Sequence, residues 1–116
     1  MNVSEARFIS TLGEMGGIGF IYPGHPLYNP WGWYTANRDL LFDNFEDWLI
    51  AYQRIIRKML PQITDPLYGL SGAVYTELTD VAADVTGLAT YDRQIIKIDP
   101  ARVADVNRQL YTAMPT

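Results

Sequence analysis

The chain contains no cysteine and a single histidine, His25. Without cysteine there is no disulfide framework, no thiolate nucleophile and no cysteine-based zinc site, and one histidine cannot form a multi-histidine metal centre. Basic residues are also few: nine Lys and Arg stand against thirteen Asp and Glu, for a formal charge of −4. Because binding to phosphates needs a basic surface, we expect no nucleic-acid partner. We also expect no metal and no other cofactor.

Long apolar runs are missing as well. No run approaches the roughly 20 residues of a membrane span, and residues 1–7 lack the charged-then-apolar pattern of an export signal. Together with the lack of cysteine, these features favour a cytoplasmic protein with no membrane partner. The chain does have 116 residues, 48% of them hydrophobic, which suits one globular domain over residues 1–116.

Two helices are predicted from capping residues and apolar spacing. Asp43 is an Asx N-cap followed by Glu46 in a capping-box arrangement, and Pro61 is expected to end this helix. Asp99 is an N-cap with Pro100 at the first helical position of the second helix. The apolar stripe of the first helix includes Trp48 and Tyr52. Cations near the end of this helix suit the C-terminal end of the helix dipole; they are Arg54, Arg57 and Lys58. The apolar stripe of the second helix consists of Val103, Val106, Leu110 and Met114.

Two short apolar runs, residues 7–13 and 70–78, are predicted to be strands. A long loop rich in Gly, Pro and aromatic residues follows the first, over 15–41, and a stretch without a clear period follows the second, over 80–98. In that second stretch, Gly87 indicates a turn. Three isoleucines are expected to pack against the rest of the domain: Ile95, Ile96 and Ile98.

The predicted order is strand, loop, helix, strand, loop, helix, which makes an α/β fold of two consecutive βα units with parallel strands. Both loops then lie at the carboxyl ends of the strands, where α/β folds place their chemistry. Glu14, Glu77 and Asp80 share that edge.

Three blocks of sequence carry a resemblance to a known family: "LGEMGGIG" at 12–19, "SGAVYTELTDV" at 71–81 and "GLATYDR" at 87–93. They resemble the last quarter of the catalytic (β/α)8 barrel of glycoside hydrolase family 2, which includes β-galactosidases, β-glucuronidases and β-mannosidases. The resemblance covers most of the chain and implies strand seven to helix eight of a TIM barrel. Because a closed barrel needs roughly 200 to 250 residues, it also implies completion by oligomerisation or by a partner chain.

The resemblance implies a retaining glycosidase that hydrolyses O-glycosidic bonds in carbohydrates, with Glu14 at the position of the catalytic nucleophile. A retaining enzyme needs a second carboxyl group about 5 to 5.5 Å away as acid and base. In the family this residue comes from strand four, and no position here matches it. We therefore expect no turnover by this chain alone.

The other candidate site residues have two interpretations each. Glu77 and Asp80 could accept hydrogen bonds from sugar hydroxyls, or they could be solvated or helix-capping acids. His25 could contact substrate or stabilise its Pro-rich loop. Trp31 and Trp33, with Tyr34, could stack on a pyranose ring or close the barrel mouth or a subunit interface. Asp92 and Arg93 are expected to anchor the loop after the second strand.

Two functions from different classes follow. The first is a partial glycoside hydrolase domain, with carbohydrate as ligand and a complementing barrel fragment as partner. The second is a non-catalytic remnant of such a barrel that forms a homo-oligomer, with a structural or carbohydrate-binding role. The exposed edges of two lone parallel strands favour association in both cases.

Overall fold

A computed structural model describes residues 9–24, 38–81 and 84–113. Its strands are β1 (Ser10–Met15), β2 (Gly19–Phe20), β3 (Leu41–Phe42) and β4 (Leu70–Tyr75), and its helices are α1 (Phe45–Thr64) and α2 (Pro100–Thr112). A 3-10 turn, Arg38–Leu40, precedes β3. Within the described residues the strands form two small parallel sheets, β1 with β4 and β2 with β3. The molecule is therefore a small mixed α/β domain.

The predicted parallel pairing of the two main strands is confirmed. Ser10 lies opposite Leu70 and Met15 opposite Tyr75, so β1 and β4 end at the same edge of the sheet. The predicted strand ends were wrong, because β1 continues through Gly13 to Met15 and β4 stops at Tyr75. Gly13 lies within the strand, and the chain turns instead at Gly16 and Gly17, whose φ angles of 113° and 67° suit glycine.

The stretch predicted to be one long loop contributes a second sheet. Gly19 pairs with Leu41 and Phe20 with Phe42, and Ile21 N–H donates to the carbonyl of Phe42 at 2.9 Å. Strands of two residues have no recognisable period in a sequence, so their pairing depends on contacts between distant segments. Residues 25–37 of the predicted loop lie outside the described residues.

Helix α1 begins one residue later than predicted. Asn44 is the N-cap: its Oδ1 accepts from Asp47 N–H at 2.9 Å, and its Nδ2 donates to Asp47 Oδ2 at 3.0 Å. Asp47, in place of Glu46, is therefore the acidic partner of the cap. Asn and Asp cap equally well, so the sequence Asp43-Asn44 leaves the exact start open.

Helix α1 also continues past Pro61 to Thr64, so the predicted end was wrong. Proline fits helical φ but lacks an N–H donor, which costs one hydrogen bond near the end of the helix. Carbonyls in the last turn still find donors: Asp65 N–H donates to Pro61 at 3.0 Å, and Thr64 Oγ1 donates to Leu60 at 3.2 Å. The cations assigned to the helix end consequently lie earlier, and the last turn contains no basic residue.

Helix α2 begins as predicted. Asp99 Oδ1 accepts from Ala101 N–H at 3.1 Å, and Pro100 is the first helical residue. Val103 and Val106 are buried, which confirms the first half of its predicted stripe. Met114 lies outside the described residues.

The core lies between the β1/β4 sheet and the two helices. Trp48 is fully buried and its Nε1 donates to the carbonyl of Ile18 at 3.3 Å, and Tyr52 stacks on Trp48 with 5.1 Å between ring centroids. The core assignment of these two rings is confirmed. The other buried apolar side chains of this core are Met15, Ile18, Phe20, Leu49, Ile56, Met59, Val103 and Val106. Among the described residues, no helix combines the length and apolarity that crossing a membrane requires.

Candidate functional site

Glu14 lies in a β-bulge at the carboxyl end of β1. Leu12 pairs with Ala73 and Met15 with Tyr75, so β1 has two residues between these positions, Gly13 and Glu14, where β4 has one. The Glu14 side chain is exposed, whereas Met15 beside it is buried. Bulges bend a strand, re-aim a side chain and recur next to active sites. The local backbone thus directs a solvent-accessible carboxyl group at the strand end.

The structure explains why glycine follows the Glu14 strand end, which the sequence alone did not show. A Cβ added to Gly16 would lie 2.8 Å from Cε2 of Tyr75, so only glycine allows this ring to pack against the turn. The Tyr75 hydroxyl then donates to the carbonyl of Thr86 at 2.6 Å. Gly17 has open space around its Cα, which leaves room for a ligand to approach the backbone.

Glu77 follows β4 at the same edge of the sheet. It is half-buried, and its Oε2 accepts from the Thr86 hydroxyl at 2.9 Å. Partial burial raises the pKa of Glu77 above its ordinary value, and the carboxylates of Asp84 and Asp80 add to this rise. The Thr86 hydrogen bond and the Lys97 charge act against it. A carboxyl group of this kind holds a proton to higher pH than an exposed one.

Asp80 is buried and forms an ion pair with Lys97. Asp80 Oδ1 lies 2.7 Å from Lys97 Nζ and also accepts from Gly87 N–H at 2.9 Å. Burial raises the pKa of Asp80 and lowers the pKa of Lys97, while their mutual hydrogen bond opposes both shifts. The interpretation of Asp80 as a solvated or helix-capping acid was therefore wrong, because its side chain is only 3% exposed and caps no helix in the described part of the chain.

Lys97 connects the loops that follow the two main strands. Its Nζ donates to the carbonyl of Phe20 at 2.7 Å, in the segment after β1, and to that of Val85 at 3.1 Å, in the segment after β4. Phe20 N–H also donates to the carbonyl of Val85 at 2.8 Å. The ammonium group thus joins the segment after Glu14 to the one that contains Asp80.

Gly87 permits this arrangement through close packing. A Cβ at this position would lie 2.2 Å from Asp80 N and 2.3 Å from the carbonyl carbon of Thr79. The backbone of the loop therefore passes too close to itself for any side chain. The sequence indicated a turn at Gly87, whereas the structure adds the reason that glycine is required there.

The segment after β4 differs from the sequence expectation at the isoleucines. Lys97 is buried, whereas Ile96 is 64% exposed, so Ile96 does not pack against the body as predicted. Ile98 does pack against the core. Asp92 accepts from the Thr90 hydroxyl at 2.6 Å and from Gln94 N–H at 3.0 Å, which fits its predicted role as a loop anchor. Arg93 is exposed, with a φ angle of 59°.

The structure brings Glu14, Glu77 and Asp80 to one edge of the β1/β4 sheet, as the parallel order predicted. The remaining candidates, His25, Trp31 and Trp33, lie outside the described residues, as does Tyr34. Sequence reasoning missed Lys97, Thr86 and Tyr75. Only Lys97 had a signal, since a single cation within "IIKI" stands in an otherwise apolar run.

In the described part of the chain, no three His, Asp or Glu side chains are placed to hold a metal ion together. Comparisons of the chain with protein-family models and with curated proteins found no match.

Proposed function

We propose that this chain is a partial glycoside hydrolase domain related to retaining β-glycosidases, with Glu14 at the nucleophile position and without turnover on its own. The observation that carries the proposal is the exposed Glu14 carboxyl group in a β-bulge, at the carboxyl end of a strand that pairs in parallel with β4. The "LGEMGGIG", "SGAVYTELTDV" and "GLATYDR" blocks support the same assignment.

In the proposed chemistry, a Glu14 carboxylate oxygen attacks the anomeric carbon of a bound sugar. The new ester bond forms as the bond from that carbon to the leaving oxygen breaks, and the leaving group departs with the electron pair. A carboxylic acid about 5 to 5.5 Å away would protonate the leaving oxygen and then activate water for the second step. This second group is expected from a complementing polypeptide that supplies the other barrel strands.

The test uses a sugar substrate that does not need the missing acid. The dinitrophenolate group of a 2-deoxy-2-fluoro glycoside departs without being protonated. The fluorine slows hydrolysis of the glycosyl ester, so the covalent intermediate accumulates. Intact-protein mass is measured after incubation with the galactoside, glucoside, mannoside and glucuronide. We expect one glycosyl adduct on the wild-type chain with at least one of these sugars.

Two variants make the test specific. Glu14→Gln should lose the adduct, whereas Asp105→Asn, which removes an exposed carboxylate on α2, should keep it. Labelling that survives Glu14→Gln would assign the reaction to another group and overturn the proposal. If no sugar labels the wild-type chain, even when a candidate upstream barrel fragment is added, the chain has no competent nucleophile.

A second candidate function is a non-catalytic, self-associating remnant of a barrel. Leu12 and Val74 are 38% and 52% exposed on a sheet that has two strands among the residues described, and Ile9 next to it is 79% exposed. Apolar strands with uncovered edges tend to pair with other chains. Light scattering that finds only monomer at high micromolar concentration would count against this function.

A further inference from the structure

A cavity of about 540 Å³ lies between β4, the C-terminal half of α1 and helix α2. Met59 and Ile63 line it from α1, and Leu110 and Tyr111 line it from α2. This volume is more than three times the roughly 150 Å³ that an engineered cavity in a protein core can hold open for one small apolar molecule. The cavity is partly open to solvent, so it is a groove beside β4 with room for a further structural element.

The cavity follows the backbone of β4. Four consecutive residues of this strand, 70 to 73, line it, although successive side chains of a strand point to opposite faces. Thr11 and Leu12 of β1, which pair with Gly72 and Ala73, do not line it. Met15, at the end of β1, does line it together with its pairing partner Tyr75. The cavity therefore begins under the sheet at this end and reaches, along residues 70 to 73, the edge of β4 that faces away from β1.

In the part of the chain that the structure describes, this edge of β4 has none of the usual protection against pairing. Within the described residues β4 pairs only with β1, and its six residues, "LSGAVY", include no charge and no proline. Natural edge strands are commonly blocked by Lys, by proline or by a covering segment. Here Ser71, Gly72 and Ala73 are small, so another backbone can approach to hydrogen-bonding distance.

The lining also defines the chemistry of the occupant. Of the described residues that line the cavity, none carries a charge and most are apolar, so a charged segment would lose its hydration without gaining an ionic partner from them. The volume suits about three large apolar side chains, judged against the roughly 150 Å³ cavity mentioned above. In an extended strand, these would stand at alternate positions on one face.

A second copy of this chain fits the cavity poorly. Pairing β4 with another β4 would join two cavities of about 540 Å³ and would offer each the six residues "LSGAVY". Alternate residues share a face, so one face offers two large apolar side chains, Leu70 and Val74, and the other offers only Tyr75. A different polypeptide, with bulky apolar residues, is the better complement.

We propose that the free edge of β4 binds a β-strand from a second polypeptide, an uncharged segment of about six residues whose bulky apolar side chains at alternate positions fill the cavity under α1 and α2. This is strand addition, in which main-chain hydrogen bonds provide affinity and side-chain pockets provide specificity. The inference deepens the proposed function and rests on it for the role of the partner, since the added strand extends the sheet that ends at Glu14.

The binding test uses a labelled synthetic peptide with the core Thr-Leu-Thr-Ile-Thr-Leu and two lysines at each end. We expect saturable binding in fluorescence anisotropy and slower amide hydrogen exchange in residues 70–75. A peptide with alternate core amides N-methylated should bind at least tenfold more weakly, because it cannot complete the strand pairing. A peptide with alanine in place of the Leu and Ile residues should also bind at least tenfold more weakly, because it leaves the cavity empty.

Two tryptophan variants locate the binding site on the protein. Ile63→Trp places a ring at the cavity wall and should weaken peptide binding at least tenfold, whereas Ile50→Trp, at a position on α1 that does not line the cavity, should leave it unchanged. Circular dichroism is used to verify that both variants fold. Equal effects of the two variants, or equal binding of the N-methylated peptide, would overturn the proposal.

Two further outcomes separate this inference from its alternatives. Glu14→Gln should bind the peptide like the wild-type chain, so binding can succeed or fail independently of the glycosidase assignment. If the chain alone forms a dimer in which residues 70–75 are already protected and the peptide is excluded, the edge is occupied by a second copy and the proposed partner is wrong.

Discussion

At the scale of single residues, the Asp80–Lys97 pair is the contact on which the strand-end loops depend most. Both side chains are almost fully buried, and Lys97 Nζ has three oxygen partners within 3.1 Å. Lys97→Met removes the cation and leaves the buried Asp80 carboxylate without its ionic partner. We expect the free energy of unfolding in urea to fall by about 3 to 5 kcal/mol, the usual loss when a buried pair is broken.

The double variant Lys97→Met with Asp80→Asn tests that explanation. The amide oxygen can still accept from Gly87 N–H, but no buried charge is left, so part of the lost stability should return. Arg102→Met serves as a control, because it breaks an exposed pair with Glu46 and should change stability little. A double variant no more stable than Lys97→Met alone would mean that the loss comes from packing.

Glu77 gives a pH-dependent prediction with a defined sign. Its pKa is raised in the folded protein, chiefly by partial burial, so the folded state binds this proton more tightly than the unfolded state does. By linkage, this group makes the free energy of unfolding fall as pH rises from about 4.3, the ordinary Glu pKa, through the folded value. Glu77→Gln keeps an acceptor for Thr86 and removes the titration.

The comparison is made by urea denaturation from pH 4 to pH 8. We expect Glu77→Gln to gain stability relative to the wild-type chain as pH rises above 4.3, and the difference to level off at higher pH. A difference that grows toward low pH instead would mean that the carboxylate form is the one that the fold stabilises.

At the scale of elements, the start of α1 is set by a single amide side chain. Asn44→Ala removes the acceptor for Asp47 N–H and should lower the free energy of unfolding by about 1 kcal/mol. Asp43→Ala is the matched control and should have a smaller effect, because Asp43 accepts one exposed hydrogen bond from Asn44 Nδ2 at 3.1 Å and is not the N-cap of the helix. If Asp43→Ala costs more than Asn44→Ala, the helix begins where the sequence pattern placed it.

Elements whose signals are local were predictable, and elements defined by distant contacts were not. The start of α2 follows from Asp99 and Pro100, which are adjacent in sequence, and the core side of α1 follows from its helical period. The β2/β3 sheet pairs segments that are more than twenty residues apart and only two residues long, so no pattern indicates it. Helix α1 continues past Pro61 to Thr64, where Asp65 N–H and the Thr64 hydroxyl bond carbonyls near its end, and only the folded chain reveals this continuation.

The candidate site divides in the same way. The parallel order placed Glu14, Glu77 and Asp80 at one edge from the sequence alone, because strand direction decides which ends meet. Their surroundings depended on the fold: a buried Lys97 in an isoleucine-rich run follows no alternation rule, and the contact of Gly16 with the Tyr75 ring joins residues 59 positions apart. The bulge at Glu14 is defined by the pairing of β1 with β4, so the sequence of β1 alone does not predict it.

At the scale of the whole molecule, the uncovered β1/β4 sheet should control association. Leu12 and Val74 are exposed apolar side chains on this sheet, and threonine at both positions suits a strand because it is β-branched, while it removes apolar area. We expect the wild-type chain to associate reversibly in sedimentation velocity as its concentration rises, and the double variant Leu12→Thr/Val74→Thr to need at least tenfold higher concentration for the same degree of association. Ile50→Thr removes a comparably exposed side chain from the outer side of α1 and should leave association unchanged. An uncovered sheet attracts partners through its own strands, so a change on α1 should not affect this association. If Ile50→Thr raised the concentration required for association equally, general surface hydrophobicity, and not the open sheet, would join the copies.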